Sequence, residues 1–437
     1  VIGEIKDTIG KSAKERMVLG IDLTDEFSQI SYCPFSQEEP ETLSMILGEE
    51  KMCIPTALAK RYGENIWTFG EEAQELEQKN EGFLITSLIT LAREGELIEV
   101  ETRDYDPVDL LALFLKKCIS KLALVAPIEK VSSIVITVEE PDAQMIQILS
   151  KVIATLRIKP EKVFFQSHAE SAYHYILHQP KELWNHDVLI CNLKGNGLEV
   201  MMFQKNNQTT PVVMLMKSQT YPRFLPETFA TDKKEDGRKS RKDQELYQIL
   251  YVHCEGHYIS SIYLLGDGFD GGWYQDSLKY MCRNRRVFRG NNLFSKGACY
   301  GAKEKIENTE LESKHVFLGK DKLKSNLGMR VVREGRESYM ALLDAGKNWY
   351  DSVKECDLIL DREDTINIIV TPLDGKNPKT IPIYLRGLPV RPPRATRIHI
   401  EIRMLSETRL AVNVTDLGFG EFFAASGMQW SSEVEID

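Results

Sequence analysis

Hydrophobic positions along the chain show two textures. Up to about residue 314, apolar strands alternate with segments whose apolar residues recur every three or four positions. Beyond it, apolar and polar residues alternate one by one. MVLGIDLTDEFSQISYC (17–33) predicts strand, turn, strand, and KMCIPTALAKRYGENIWTFGEEAQELEQ predicts a further strand pair and a helix. DPVDLLALFLKKCISKLALVA predicts an amphipathic helix opened by Asp106 and Pro107, because a first-turn proline forfeits no helical hydrogen bond. VSSIVITVEE (131–140) predicts a buried strand, PDAQMIQILSKVIATLRI a helix, and KVFFQSHAESAYHYIL a short strand and helix. DVLICNLKGNGLEVMMF (187–203) predicts a second hairpin with a glycine-rich tip. HYISSIYLLGDGFDGGWYQDSLKYMCRN and GNNLFSKGACYGAKEKIENTE predict strand–loop–helix and loop–helix. Such alternation implies a layered α/β domain.

Three stretches have weaker patterning. The first sixteen residues read as a short helix or tail. Residues 205–244 show little periodicity, and their six Lys/Arg between 233 and 242 suggest a solvated loop or a basic docking site ahead of the helix DQELYQILYVHCEG. RNRRVFRGNN (283–292) reads as a solvated helix end, or as a site for phosphate or an acidic partner. From His315 onward, DTINIIVTPL, KTIPIYLRGL, TRIHIEIRML and ETRLAVNVTDL predict short strands about ten residues apart, the mark of an all-β sandwich.

The first texture contains a repeat. VLGIDLTDEFSQIS (18–31) lies over VLICNLKGNGLEVM (188–201) with Asp22 on Asn192, and VSSIVITVEEPDA (131–143) lies over ISSIYLLGDGFDG (259–271) with Ser-Ser-Ile in both. Two copies of a hairpin followed later by strand, loop and helix imply a duplicated domain whose lobes enclose a cleft.

Composition narrows the chemistry. A net charge of -10 over 437 residues opposes nucleic acid or an anionic membrane as the main partner, through long-range repulsion. The eight cysteines are scattered with no CxxC pair, which suggests reduced thiols in a cytoplasmic protein rather than a disulfide framework or zinc site. No apolar run approaches the ~20 residues of a bilayer crossing. The histidines show no HxxxH or HExxH spacing.

In their order, these segments resemble the actin, sugar-kinase and heat-shock-chaperone ATPase superfamily, and most nearly the seventy-kilodalton heat-shock chaperones. GIDLTDEFSQIS resembles the first phosphate hairpin, IPTALA with FGEEAQ the start of the outer subdomain, and IVITVEEPDAQMIQILSKVI with AESAYHY the first connecting region. DVLICNLKGNGLEV resembles the second phosphate hairpin, LLGDGFDGGWYQDSLKYM the adenosine loop, and NNLFSKGACYGA the second connecting helix. GLPVRPPRATRIHIEIRMLSETRLAVNVTDLGFGEF resembles the later strands of the chaperone peptide-binding sandwich. The resemblance implies a duplicated actin-like (ribonuclease H-like) two-lobed nucleotide-binding fold, with lobes at 17–186 and 187–314, then a sandwich at 315–437. It implies ATP or ADP with magnesium as ligand, and a protein or peptide partner at the sandwich.

Departures from the family's pattern put hydrolysis in doubt. The family needs carboxylates to hold the metal's water shell and to orient a nucleophilic water. Asp22 is kept, but Thr24 replaces a glycine and the acidic pair Asp25-Glu26 follows. Asn192 replaces the second aspartate, and Lys194-Gly195-Asn196-Gly197 replaces the glycine run, with Gly197 where a hydroxyl residue is expected. Glu170 is the matching carboxylate of the connecting region, and Gly266 and Gly268 keep close backbone approach open in the adenosine loop. FLITSLITLAREG lacks the family's lysine and offers Ser87, Thr90 and Arg93 instead. Only 74 positions separate Asn192 from Gly266, so the second lobe's outer subdomain, one wall of the adenine pocket, is shortened.

For several of these residues a plainer role stays open. Asp22 could be a turn aspartate, Glu170 a helix-start carboxylate, Lys194 an exposed turn residue, and GDGFDGG a simple connection. The expectation is a cytoplasmic, chaperone-like scaffold whose vestigial cleft (Asp22, Thr24, Glu170, Asn192, Lys194, Gly195, Gly197, Gly266 and Gly268) does not hydrolyse ATP efficiently. The alternatives are a divergent ATPase built on Asp22 and Glu170, and a peptide-binding module for which ATP is irrelevant.

Overall fold

In the computed structural model the described residues are 16–45, 51–125, 127–206, 211–225, 235–307, 309–361, 364–373 and 377–436. They form two compact units, residues 1–317 and 318–437, with mixed α/β character overall. The expected N-terminal helix or tail lies outside the described residues, apart from Arg16.

The first unit is built on two six-stranded sheets. Strands β1 (Met17–Leu23), β2 (Phe27–Pro34) and β3 (Glu41–Thr42) join β4 (Val131–Val138) and β5 (Val163–Ser167) in the order β5-β4-β1-β2-β3, and the two-residue strand Ile54–Pro55 pairs with the start of β2 as the sixth. Strands β6 (Asp187–Lys194), β7 (Gly197–Asn206), β8 (Val212–Tyr221), β9 (Ile259–Leu265) and β10 (Arg286–Arg289) give β10-β9-β6-β7-β8, with β11 (His315–Leu318) on the far edge. The two orders are the same arrangement run twice. Register repeats as well: β1 pairs parallel with β4, Val18 opposite Ser133 and Asp22 opposite Thr137, while β6 pairs parallel with β9, Val188 opposite Ser261 and Asn192 opposite Leu265. Both pairings even carry an irregularity at the first step, after Met17 and after Asp187.

β1 is buried at every position because helices and strands cover both faces, so it reads as a continuous apolar run rather than an alternating one. Of the helices α1 (Glu71–Gln78), α2 (Leu88–Glu94), α3 (Pro107–Ser120), α4 (Ala143–Leu156), α5 (His168–Leu177), α6 (Glu235–Cys254), α7 (Gln275–Met281) and α8 (Leu293–Glu307), the last sets the tightest contacts. A Cβ on Gly20 would stand 2.2 Å from the Ser295 carbonyl oxygen, and one on Gly297 would stand 1.9 Å from that of Ser171. Glycine at these two places lets α8 lie directly on β1 and cross α5 backbone to backbone. Gly297 and Gly301 stand four apart in KGACYGA, one turn along the same face. Asp106 caps α3 through Val108 N at 2.8 Å with Pro107 at the first position, as the sequence pattern implies.

Some stretches fold differently from their patterning. The weakly periodic segment 205–244 contains the ten-residue strand β8, and α6 begins at Glu235, inside the stretch read as a basic loop; Lys233 and Lys234 lie outside the described residues. Strand β8 buries only Val213 and Met214, which leaves its alternation faint. RNRRVFRGNN supplies the edge strand β10 in place of a helix end. No described helix is long and apolar enough to cross a membrane.

The second unit consists of two antiparallel four-stranded sheets. Strands β12 (Ser325–Arg333), β13 (Arg336–Leu343), β15 (Thr365–Pro372) and β16 (Lys379–Tyr384) run in the order β13-β12-β15-β16, and β14 (Val353–Leu360), β17 (Thr396–Met404), β18 (Arg409–Gly418) and β19 (Gln429–Glu435) in the order β14-β17-β18-β19. Alternate residues such as Ile398, Ile400 and Ile402 on β17 share one core with Ile366, Ile368 and Val370 on β15.

Candidate functional site

The two hairpin tips and the loop after β9 converge on one cavity of about 390 Å³, within the size range of small-ligand pockets. Asp22, Thr24, Asn192, Lys194, Gly195, Gly266 and Gly268 line it; Glu170 and Gly197 are not among its lining residues. Seven of the nine sequence-selected residues thus meet in space, although they span three segments. Register explains the meeting. Asp22 and Asn192 are the last paired residues of the equivalent parallel pairings β1 with β4 and β6 with β9, at their carboxyl ends, where crevices form in α/β sheets.

Asp22 is turned inward. Its Oδ1 lies 2.7 Å from Nε2 of His168, a buried side chain at the start of α5. The His168 ring stacks on Phe294 of α8, centroids 4.2 Å apart and planes 8° from parallel. Behind this pair, Thr137, Ser171 and Gln166 form a chain of hydrogen bonds, each 2.7 Å, centred on the Ser171 hydroxyl. The chain anchors α5 to β4 and β5. Glu170 lies in the first turn of α5, capped by Ser167 Oγ, with its carboxylate 3.8 Å from His174 on the same helix. His168 escaped the sequence reading; its signal is its place in SHAES, between the N-cap Ser167 and Glu170, where a short helix start faces the end of β1.

The acidic pair after Asp22 divides its work. Asp25 caps α2 from outside the helix, accepting Ile89 N at 2.7 Å and the Thr90 hydroxyl at 2.6 Å. Its help is needed because Ser87, at the N-cap, sits at φ 54° and makes no side-chain cap of its own. Glu26 instead crosses the cleft: its Oε1 would stand 3.1 Å from a Cβ placed on Gly195. Lys194, at the same tip, donates to Oε1 of Glu139 at 2.6 Å. Burial is the largest single influence on both groups and opposes their charges, but the partner's charge, the hydrogen bond between them and further charges nearby together outweigh it, holding Glu139 below and Lys194 above their usual ranges. Arg93, the cation of FLITSLITLAREG, pairs with Asp142 at 2.7 Å.

The loop glycines have a packing reason. Gly266, at φ 87°, would drive a Cβ to 2.0 Å from the Leu193 carbonyl, and Gly268 would drive one into the Leu193 side chain at 2.3 Å. The loop therefore presses on the second hairpin, and Asn291 ties it down by accepting Gly266 N at 3.0 Å. Gly197, at φ 130°, is needed where β8 ends: a Cβ would meet the Tyr221 carbonyl at 2.7 Å. On the cavity wall, Cys53 accepts a hydrogen bond from Gln29 Nε2 at 3.1 Å. Burial pushes the Cys53 thiol up, with Gln29 pulling the other way.

These residues do not fit a magnesium-bound triphosphate. An anion between the hairpins would meet Glu26, the tip lysine already holds Glu139, and Asn192 supplies an amide where a metal shell wants a carboxylate.

Residues 39–320 match the model described as the C-terminal part of a family of unknown function, DUF5716, and residues 322–436 match a domain of unknown function, DUF8552. No curated protein matches the chain.

Proposed function

For a chain that belongs to the DUF5716 family of unknown function, we propose a chaperone-like interaction scaffold: a duplicated actin-like domain with a degenerate nucleotide cleft, and a β-sandwich that engages a protein or peptide partner. The matching strand orders and registers of the two sheets support the duplicated fold. The observation that carries the loss of hydrolysis is the chain's own carboxylates at the hairpin tips, Glu26 against Gly195 and Glu139 on Lys194. A phosphate charge about 4 Å from one carboxylate costs about 4 kcal/mol at an effective dielectric of 20, which is nearly a thousandfold in affinity. Among the described residues the sandwich's two sheets end in the edge strands β13 and β16, β14 and β19, a geometry suited to strand addition by an extended peptide.

The competing reading, a divergent ATPase using Asp22 and Glu170, draws support from the cavity itself. Against it stand the Asp22–His168 hydrogen bond and the position of Glu170 outside the lining. Thermal unfolding with and without millimolar Mg-ATP separates the two. A nucleotide at a hundred times its dissociation constant adds about 2.7 kcal/mol; the expected result is no shift with ATP or ADP. A stabilisation or turnover abolished by Asp22→Asn would overturn the scaffold reading.

A further inference from the structure

We infer that the cleft takes a small organic cation, an alkylammonium or guanidinium group on an apolar stem, in place of a nucleotide; this rests on the degenerate-cleft reading above. Charge is the first observation. Asp22, Glu26, Asp267 and Asp270 line the cavity, and the lining cation Lys194 is held by Glu139. Asp22 and Asp270 have partners in His168 and Arg289, whereas Glu26 is an exposed carboxylate and Asp267 accepts a hydrogen bond from the neutral Asn291 amide at 3.2 Å.

A second, independent observation points to a donor ligand. Gln29 is only 4% exposed and lines the cavity, its amide nitrogen is spent on Cys53, and its Oε1 has no hydrogen-bond partner. A buried carbonyl acceptor left unpaired costs free energy that an incoming N–H group would restore. Ammonium and guanidinium groups carry donors and no acceptors, which matches the excess of carboxylates in the lining and the unpaired Gln29 oxygen beside it. Beside the neutral polar side chains Thr24, Asn192 and Asn291, the lining includes the apolar Phe27, Leu193, Leu265 and Phe294. Such side chains pack against the methylene stem of a lysine, an arginine or a polyamine, while the head stays among the oxygens. The same chemistry comes either free or as the side chain of a basic peptide.

Calorimetric titration of the full chain with N-acetyl-arginine amide, its neutral isostere N-acetyl-citrulline amide, spermidine, an extended arginine-containing peptide and Mg-ATP tests the inference. The expected result is binding of the cations, with citrulline at least tenfold weaker and affinity falling several-fold between 50 and 300 mM salt, because exposed carboxylates are screened. The double variant Glu26→Gln/Asp267→Asn should weaken binding at least tenfold without altering the melting profile, and Gln29→Leu should weaken it several-fold. Tighter binding of the peptide than of the amide identifies a protein side chain as the source, and the reverse order a free amine. Absence of heat from every cation up to 20 mM, equal binding of citrulline, or indifference to the double variant would overturn the inference. Binding of Mg-ATP would overturn the degenerate-cleft reading instead, whatever the cations do.

Discussion

Arg391 and Asp416 form a desolvated pair in the sandwich, in the segment GLPVRPPRATRIHIEIRML and the strand that follows it. Both guanidinium nitrogens Nη1 and Nη2 donate to the carboxylate at 2.7 Å, and the side chains are 5% and 0% exposed. Gly418 N at 3.0 Å and Ser426 N at 2.9 Å complete the acceptor's shell. Arg391→Ala removes the positive partner and leaves a buried carboxylate with two backbone donors, a loss of about 3–5 kcal/mol. In a unit of this size that lowers its melting temperature by roughly 10–20 °C. Arg391→Lys keeps the charge but loses the fork, so about 1–2 kcal/mol should be lost. Calorimetry of the full chain measures both, with amide exchange on peptides from β17–β19 assigning the transition to the sandwich. The Arg391 guanidinium and the two backbone donors hold Asp416 well below the usual carboxylate range, so the unfolded chain binds more protons than the folded one in acid. The pair's contribution is therefore fully present above the unfolded value near 3.9 and is lost as pH falls below it toward the depressed folded value. Arg391→Ala should flatten that acid limb. A loss under about 1 kcal/mol at neutral pH, or an unchanged acid limb, would refute the claim that the pair is buried and coupled.

Gly20→Ala should destabilise the first unit by 3 kcal/mol or more, at the upper end of overpacking costs of about 1–3 kcal/mol, because its Cβ meets backbone on α8; urea unfolding checks it. Asp25→Ala should cost about 1–2 kcal/mol by uncapping α2, seen as faster amide exchange at Ile89 and Thr90 with little change elsewhere. Glu26→Gln combined with Glu139→Gln should tighten Mg-ATP binding at least tenfold over the unsubstituted chain in equilibrium dialysis; no gain would show that these carboxylates are not the barrier.

Sequence by itself determined most of the strands and helices with strong apolar patterning, and it exposed the repeat. Continuous apolar runs such as VLGID and VLICN, bounded by turn residues, read as strands buried on both faces, and the alignment of the two hairpins at one offset of 170 placed Asp22 and Asn192 at equivalent positions. It also set an amide, Asn192, where the first copy has the carboxylate of Asp22, since the identity of a residue needs no coordinates. Local pattern was silent where few residues are buried, as in β8, or where charge dominates, as at the start of α6. Tertiary structure alone decided how neighbours in sequence part company: Asp25 turns to an N-terminus 64 residues away while Glu26 crosses to the opposite hairpin. It decided, too, that Asp22 faces His168, that Lys194 holds Glu139, and that the loop glycines press on Leu193. These are contacts between segments 55 to 146 positions apart, set by how two sheets and α8 stack, and side-chain direction across such distances is fixed by packing rather than by local propensity.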